Sequence, residues 1–187
     1  MLEKRWKKTR SEIIYENRWM KFIRDEVIHP NGKKGEYTYL DAIPGVIVIP
    51  VQDDHIYMIK EFKYPINNWI WNLFTGGIKK GENPLDVAKN ELMSEGAITA
   101  SEWKYLGKFY FAPGIETTYN HIYLATSLTI NKFKENGEGD ELISVRSKFS
   151  NDEIKDMIKN DEIDSGLVIA ALQKYFIYDA RNRSKKS

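Results

Sequence analysis

The sequence predicts an α/β (α+β) fold, a sandwich of helices on a mixed β-sheet that follows an antiparallel β extension. Three observations indicate this class. The 187 residues, 42% apolar and 29% charged, can bury one sizeable core. Residues 46–51 form a short apolar run that is typical of a buried strand. A helical segment beginning at Asn83 lies between extended segments, and such alternation is typical of layered α/β folds.

The first 42 residues are predicted to form the β extension. Residues 19–28 and 37–41 have the composition of strands. The turn sequence His29-Pro30-Asn31-Gly32 lies between them, so the two strands are expected to run antiparallel.

Residues 43–178 are predicted to form the main domain. Val46–Val51 is its buried strand, and Ile56–Phe62 can pair with it across a turn that contains two Asp residues. Further along, two extended segments are predicted at 104–111 and 118–125, and a hydrophilic loop at 131–141. We expect this loop to be mobile.

Two helices are predicted near the C-terminus. Ser150 and Glu153 have the spacing of a capping box, in which each residue bonds the backbone of the other. The segment Leu167–Phe176 is apolar along one face. Residues 179–187 are predicted to be a basic tail, frayed and solvated from Arg181 onward.

Composition excludes several classes of protein. A net charge of +1 argues against a dedicated nucleic-acid or membrane binder. The absence of Cys excludes disulfides and thiol chemistry and fits a reducing compartment. The longest apolar run, Ile43–Val51, is too short to span a bilayer, and the N-terminus has no apolar signal core. We therefore expect a soluble, cytoplasmic protein whose partner is a small molecule.

Two glutamates carry the chemical signal. Asn83 can cap a helix in which Glu91 and Glu95 are four residues apart, so their side chains are neighbours. The apolar residues of this helix at core spacing, namely Leu85, Ala88 and Leu92, are predicted to leave both glutamates on an open face. Two such carboxylates can converge on a divalent cation. Taken alone, the same spacing also fits an ordinary solvated helix face.

The segment GGIKKGENPLDVAKNELMSEGAI at 76–98 resembles the box of the Nudix hydrolases, G-x5-E-x7-R-E-U-x-E-E-x-G-U, where U is aliphatic. The residues that match it in register are Gly76, Glu82, Glu91, Leu92, Glu95 and Ile98. WNLFTGGI at 71–78 is similar to the W-E-L-P-A-G-x-I of the ADP-ribose pyrophosphatase branch. Three later segments also resemble that branch: FAPGIETTYNHIYLA at 111–125, GDELISV at 139–145 and DEIDSGLVIAALQKYF at 161–176. Several ordered matches are more specific than one motif.

The resemblance implies a catalytic and metal site. Glu91 and Glu95 would be side-chain ligands and the Thr75 carbonyl a backbone ligand of Mg²⁺, with Mn²⁺ as a possible substitute. Glu141 would be a further ligand or the general base. For Glu141 a solvated loop acid is an equal alternative, and Asp140 or Glu138 could take its role.

The resemblance also implies substrate contacts. Lys63 occupies the place of the Arg in a Gln-x-Arg element that contacts phosphates, and Pro113 and Gly114 occupy the substrate loop. Trp19 is the predicted base-stacking residue. The other N-terminal aromatic residues, Trp6, Tyr37 and Tyr39, are also candidates for this stacking. Core or sheet packing is the alternative role for each of the four. In the box itself, Gly76 and Glu82 would be structural, with Glu82 bracing the loop and helix.

Four residues depart from the family's pattern. Asn90 replaces the box Arg, Ser94 the first Glu of the pair, Ala97 the Gly, and Thr118 a Glu after the Pro-Gly turn. We expect Gly96 to supply the left-handed residue at the helix end in place of Ala97.

The resemblance implies hydrolysis of the diphosphate of a nucleoside diphosphate linked to another group, with ADP-ribose as the leading candidate. It also implies a homodimer. The alternative, motivated by Asn90, Ser94 and Thr118, is a catalytically weakened protein of the same fold that binds a nucleotide or a protein without efficient turnover.

Overall fold

The computed structural model describes residues 5–134 and 142–184. Its contacts divide the chain into two compact units. The first consists of the chain up to Pro44 together with Tyr110–Tyr119, and the second of Gly45–Phe109 together with the chain from Asn120 onward. Among the described residues, no helix is both long enough and apolar enough to cross a lipid bilayer.

The first unit contains a three-stranded antiparallel sheet in the order β1 (Lys7–Glu16), β2 (Met20–Ile28) and β3 (Lys34–Ala42). The predicted extension is confirmed for β2 and β3. Strand β1 was not predicted from the sequence. All ten of its residues are exposed, so its sequence lacks the alternation of apolar and polar residues that marks a half-buried strand.

The second unit contains a seven-stranded mixed sheet. Five of its strands, in chain order, are β4 (Gly45–Gln52), β5 (His55–Lys63), β8 (Ile98–Tyr110), β9 (Tyr119–Ile130) and β10 (Ile143–Ser150). They lie side by side in the order β10-β5-β4-β9-β8. Two short strands join them, β6 (Asn68–Asn72) on β5 and β7 (Phe74–Gly77) on β4. Strand β4 runs parallel to β9 and antiparallel to β5 and β7, which confirms the mixed sheet.

Helices cover both faces of this sheet. Val46 and Val48 of β4 join one apolar cluster with residues of α1 (Pro84–Gly96). Ile47 and Ile49, which point the other way, join a second cluster with residues of α2 (Asn151–Lys159) and α3 (Gly166–Arg183). The predicted sandwich of helix, sheet and helix is therefore confirmed in this unit.

The local predictions near the C-terminus have mixed outcomes. The capping box of α2 is confirmed, because Glu153 N–H donates to Ser150 Oγ at 3.3 Å and Ser150 N–H donates to Glu153 Oε2 at 2.7 Å. The frayed end predicted from Arg181 is wrong for 181–183, which continue α3. Arg183 ties this end down by ion pairs with Asp179 at 2.8 Å and with Asp54 at 2.6 Å.

Candidate active site

The start of α1 is built as the sequence predicts. Asn83 Oδ1 accepts the Leu85 N–H at 2.9 Å, Pro84 occupies the first turn and Asp86 lies near the positive end of the helix dipole. Val87, Ala88 and Leu92 are buried in the sheet cluster, whereas Leu85 is only half-buried. The buried side of the helix therefore begins at Val87, two residues after the predicted Leu85.

Glu95 lies against the sheet. Its side chain faces β7, and Glu95 Oε2 accepts the Thr75 N–H at 3.0 Å. Only 4% of the residue is exposed, so the predicted open face is wrong for Glu95. A hydrogen bond from a peptide N–H satisfies part of the buried carboxylate, which makes its burial tolerable.

Glu91 lies one turn before Glu95 on α1, directly over Gly76 of β7. A Cβ added to Gly76 would be 2.1 Å from Glu91 Oε1, so only glycine leaves room for the carboxylate. Glu91 is half-buried. The two carboxylates therefore converge on one dipeptide of β7, Thr75-Gly76.

The donor chemistry of this dipeptide and its two carboxylates fits a divalent cation such as Mg²⁺, which prefers oxygen ligands. Within the described residues, no cluster of three or more His, Asp or Glu side chains could hold a metal. The predicted third acid, Glu141, lies outside these residues, as do its alternatives Asp140 and Glu138.

Glu82 closes the loop that precedes α1. Its Oε2 accepts the Lys79 N–H at 2.7 Å, and its own N–H donates to the Lys79 carbonyl at 3.1 Å. These bonds make Glu82 part of the turn between β7 and the helix.

The end of α1 corrects one expectation. Ala97 itself adopts the left-handed conformation, with φ 50° and ψ 38°, and its N–H bonds back to the carbonyls of the last turn. Gly96 is helical and buried, and an added Cβ there would lie 2.5 Å from Phe74 Cε1. Gly96 is therefore required by close packing, and Ala97 carries the cost of a left-handed residue with a side chain.

Lys63 belongs to a buried polar network that the sequence analysis missed. Its ammonium donates to Glu61 Oε1, and Glu61 Oε2 accepts from Asn72 Nδ2 at 2.8 Å. Asn72 Oδ1 then accepts the Leu73 N–H at 2.9 Å. Glu61 is only 2% exposed. A sequence signal existed, since Asn72 stands between the apolar residues Trp71 and Leu73, but the pairing of Glu61 with Asn72 requires the register of β5 with β6.

Arg146 of β10 connects distant segments and was also missed. Its Nη1 donates to the Gly96 carbonyl, and its Nη2 donates to the Asn131 carbonyl at 3.1 Å. Its guanidinium lies 5.3 Å from the ring centre of Phe133. Burial lowers the pKa of Arg146 from its usual value. The residue thereby joins the end of α1 to the segment that follows β9.

The other predicted substrate residues lie in the first unit. Trp19 is 46% exposed, and the Arg18 guanidinium lies 4.6 Å from the centre of its ring. Pro113 and Gly114 are exposed in the loop between β8 and β9, where the Gly114 carbonyl accepts from Tyr37 Oη at 2.5 Å. Among the described residues, no hydrogen bond joins Trp19 to the Pro113-Gly114 turn.

The remaining aromatic candidates make packing contacts. Trp6 lies against His29, with ring centres 4.2 Å apart, and edge-on to Tyr37 at 5.6 Å. Burial, followed by the charge of Asp25, raises the pKa of Tyr39. Thr118 Oγ1 is buried and has no hydrogen-bond partner among the described residues.

The comparisons with known proteins agree with the motifs. The family model described as NUDIX domain matches residues 41–172, and that of the nucleoside diphosphate sugar hydrolase N-terminal domain matches residues 6–40. The chain is 27% identical over 175 residues to an ADP-ribose pyrophosphatase of Bacillus subtilis (strain 168), covering 93% of this chain and 94% of that protein. It is also 27% identical over 178 residues to a methanol dehydrogenase activator of Bacillus methanolicus, with the same coverage.

The fold is shared with a solved structure. A crystal structure of an ADP compounds hydrolase superposes with a TM-score of 0.77 at 18% identity, covering 92% of this chain and 94% of the other. The NUDIX match spans well over half of the chain and includes both glutamates that converge on Thr75-Gly76. The chain therefore belongs to the Nudix family and is a hydrolase.

Proposed function

We propose that this hydrolase cleaves the diphosphate bond of a nucleoside diphosphate linked to a second group, with ADP-ribose as the leading substrate. The products would be a nucleoside monophosphate and a phosphorylated second product. The convergence of Glu91 and Glu95 on Thr75-Gly76 is the observation that carries the proposal. The similarity over nearly the whole chain to a protein named ADP-ribose pyrophosphatase supports the choice of substrate.

In this proposal Glu91, Glu95 and the Thr75 carbonyl hold Mg²⁺, or Mn²⁺ in its place, with Glu141 as a further ligand or general base. The bound ion would neutralise charge on the diphosphate and activate water. The chain's own contribution is positioning. The Thr75 N–H holds the Glu95 carboxylate, and the missing side chain of Gly76 leaves space for Glu91.

Substrate binding would involve Lys63, Trp19, Pro113 and Gly114. Lys63 supplies a single positive charge rather than the bidentate fork of an arginine, so its contact with a phosphate would be less directional. Its ammonium also stabilises buried Glu61, and that ion pair keeps the side chain in place.

The test is turnover of ADP-ribose, other nucleotide sugars, dinucleoside polyphosphates and nucleoside triphosphates with Mg²⁺ or Mn²⁺, followed by chromatography. EDTA should abolish the activity. Glu95→Gln should lower turnover by about 100-fold or more, because the amide cannot replace the carboxylate charge. The isosteric amide can still accept the Thr75 N–H, so the fold should remain.

Glu162→Gln, the same change at an exposed acid after α2, is the matched control and should retain full activity. Full turnover in Glu95→Gln would contradict the site assignment. Absence of turnover on every substrate, with nucleotide binding retained, would favour the alternative of a binding protein.

We also infer a cytoplasmic homodimer. Strand β1 is exposed along its whole length, and its Ile13, Ile14 and Tyr15 are each about half exposed. Exposed apolar side chains of this size favour association, and a second copy is the partner that the family resemblance suggests. Light scattering after gel filtration tests the homodimer. The particle in solution should have twice the 21.9 kDa mass of one chain, and the double variant Ile13→Glu with Tyr15→Glu should be monomeric.

A further inference from the structure

A cavity lies beside α1, on the face that carries two of the box departures. Its volume is about 460 Å³, within the range of small-molecule sites. Its lining includes Asn90, Met93 and Ser94 of the helix and Lys132, Phe133 and Lys134 of the segment after β9. An Arg at 90 and a Glu at 94 would be longer and would crowd this face, whereas Asn90 and Ser94 are short and leave it open.

The opposite wall is fixed to the helix end. Asn131 N–H donates to the Ala97 carbonyl at 2.9 Å, and Arg146 binds the carbonyls of both Asn131 and Gly96. The Arg146 guanidinium also lies on the Phe133 ring. These contacts hold the segment that carries the two lysines against the end of α1.

The lining is cationic and rich in donors. Two ammonium groups and the Asn90 amide can donate hydrogen bonds, the Ser94 hydroxyl donates to the Glu91 carbonyl at 3.4 Å, and among the described residues no acidic side chain lines the cavity. Such a set favours a phosphoryl group, which accepts several charge-assisted bonds. The volume exceeds that of a phosphate alone, and Met93 with Phe133 adds an apolar wall for an attached group.

We propose that this cavity binds a phosphate monoester, and that its source is the phosphorylated second product. The identity of that source rests on the proposed function; the binding of a phosphate monoester does not.

The experiment titrates metal-free protein with ribose 5-phosphate, inorganic phosphate and ribose by calorimetry. Ribose 5-phosphate should bind more tightly than inorganic phosphate, and ribose should not bind. Lys132→Gln with Lys134→Gln should weaken the affinity about tenfold or more, because charge-assisted bonds are lost. Ser94→Glu should weaken it similarly, since its carboxylate would compete for the lysines.

Lys104→Gln with Lys159→Gln removes the same charge from exposed positions on β8 and α2 and should leave the affinity within twofold. Unchanged affinity in the Lys132, Lys134 variant, or no binding by the wild type, would overturn the inference. Equal loss in the control pair would do so too, since it would indicate only a general charge effect.

The two proposals fail separately. Glu95→Gln should keep the affinity for ribose 5-phosphate while losing turnover. If no substrate is turned over but the lysine-dependent binding is seen, the proposed function fails and the site stands. If ADP-ribose is turned over with an unchanged KM in the Lys132, Lys134 variant, and ribose 5-phosphate binding is unchanged, the function stands and the site fails.

Discussion

Gly76→Ala is the sharpest test of the candidate site, because it disturbs one carboxylate through a single added methyl group. Ordinary contact begins at 3.4 Å, whereas the new Cβ would lie 2.4 Å from Glu91 Cδ and Cγ, so the carboxylate has to retreat by about 1 Å. A misplacement of this size costs about 100-fold in rate where geometry controls catalysis. Glu91 is half-buried and flexible, so the stability cost should be below about 1 kcal/mol.

The assay measures kcat and KM on the best substrate of the panel, together with the thermal unfolding midpoint. Glu91→Ala completes a double-mutant cycle with Gly76→Ala. On its own Glu91→Ala should lose activity, and adding Gly76→Ala to it should cost no further activity or stability. Lys89→Ala, on the exposed side of the same helix, is the control. If Gly76→Ala kept more than half of the wild-type activity, the placement of Glu91 over Gly76 would have no catalytic role.

Three further predictions concern contacts around the site. Ala97→Gly should raise the free energy of unfolding by about 0.5–1 kcal/mol, since a left-handed alanine costs more than the extra entropy of unfolded glycine. Gly96→Ala should lower the free energy of unfolding by up to about 2 kcal/mol through the clash with Phe74, despite the better helix propensity of alanine. The thermal unfolding midpoints of the two variants should therefore move in opposite directions. Shifts of the same sign would refute the assignment of Ala97 as the left-handed residue and Gly96 as the packing residue. Arg146→Met should destabilise the protein by about 1–3 kcal/mol, because the hydrogen bonds to the two carbonyls are lost. It should also raise the Mg²⁺ concentration needed for half-maximal activity. An unchanged metal requirement would limit the role of Arg146 to stability. Lys63→Met should destabilise the protein by about 1–3 kcal/mol, because it leaves Glu61 buried without its cation. Denaturant unfolding should show that adding Glu61→Gln recovers part of that loss. Additive losses would exclude an energetic coupling between Lys63 and Glu61.

Local patterns predicted the elements whose signals are contained in a few neighbouring residues. The cap at Asn83, the capping box at Ser150 and the buried strand at Val46–Val51 are all confirmed. Strands β6 and β7 were missed because each has at most five residues, and β7 in addition pairs with the distant strand β4. Strand β1 was missed because it buries no side chain.

The pairing of distant residues could not be predicted in the same way. Arg146 reaches the Gly96 carbonyl from 50 residues away, and Glu61 meets Asn72 only because β5 and β6 pair in one register. Neither contact has a fixed spacing along the chain, so no periodicity reveals it.

The sequence by itself determined the family, the capped helix and the spacing that places Glu91 and Glu95 on neighbouring turns, because helix geometry and short motifs depend on residues close in the chain. The tertiary structure alone decided that Glu95 is buried on the Thr75 N–H, that Gly96 is needed for packing and that Ala97 is the left-handed residue. It also decided that Lys132 and Lys134 share a cavity with Asn90 and Ser94. The physical reason is that burial and side-chain contact depend on which surface packs against the helix. The position of that surface is set by sheet pairing, as in the pairing of β7 with β4, and not by spacing along the chain.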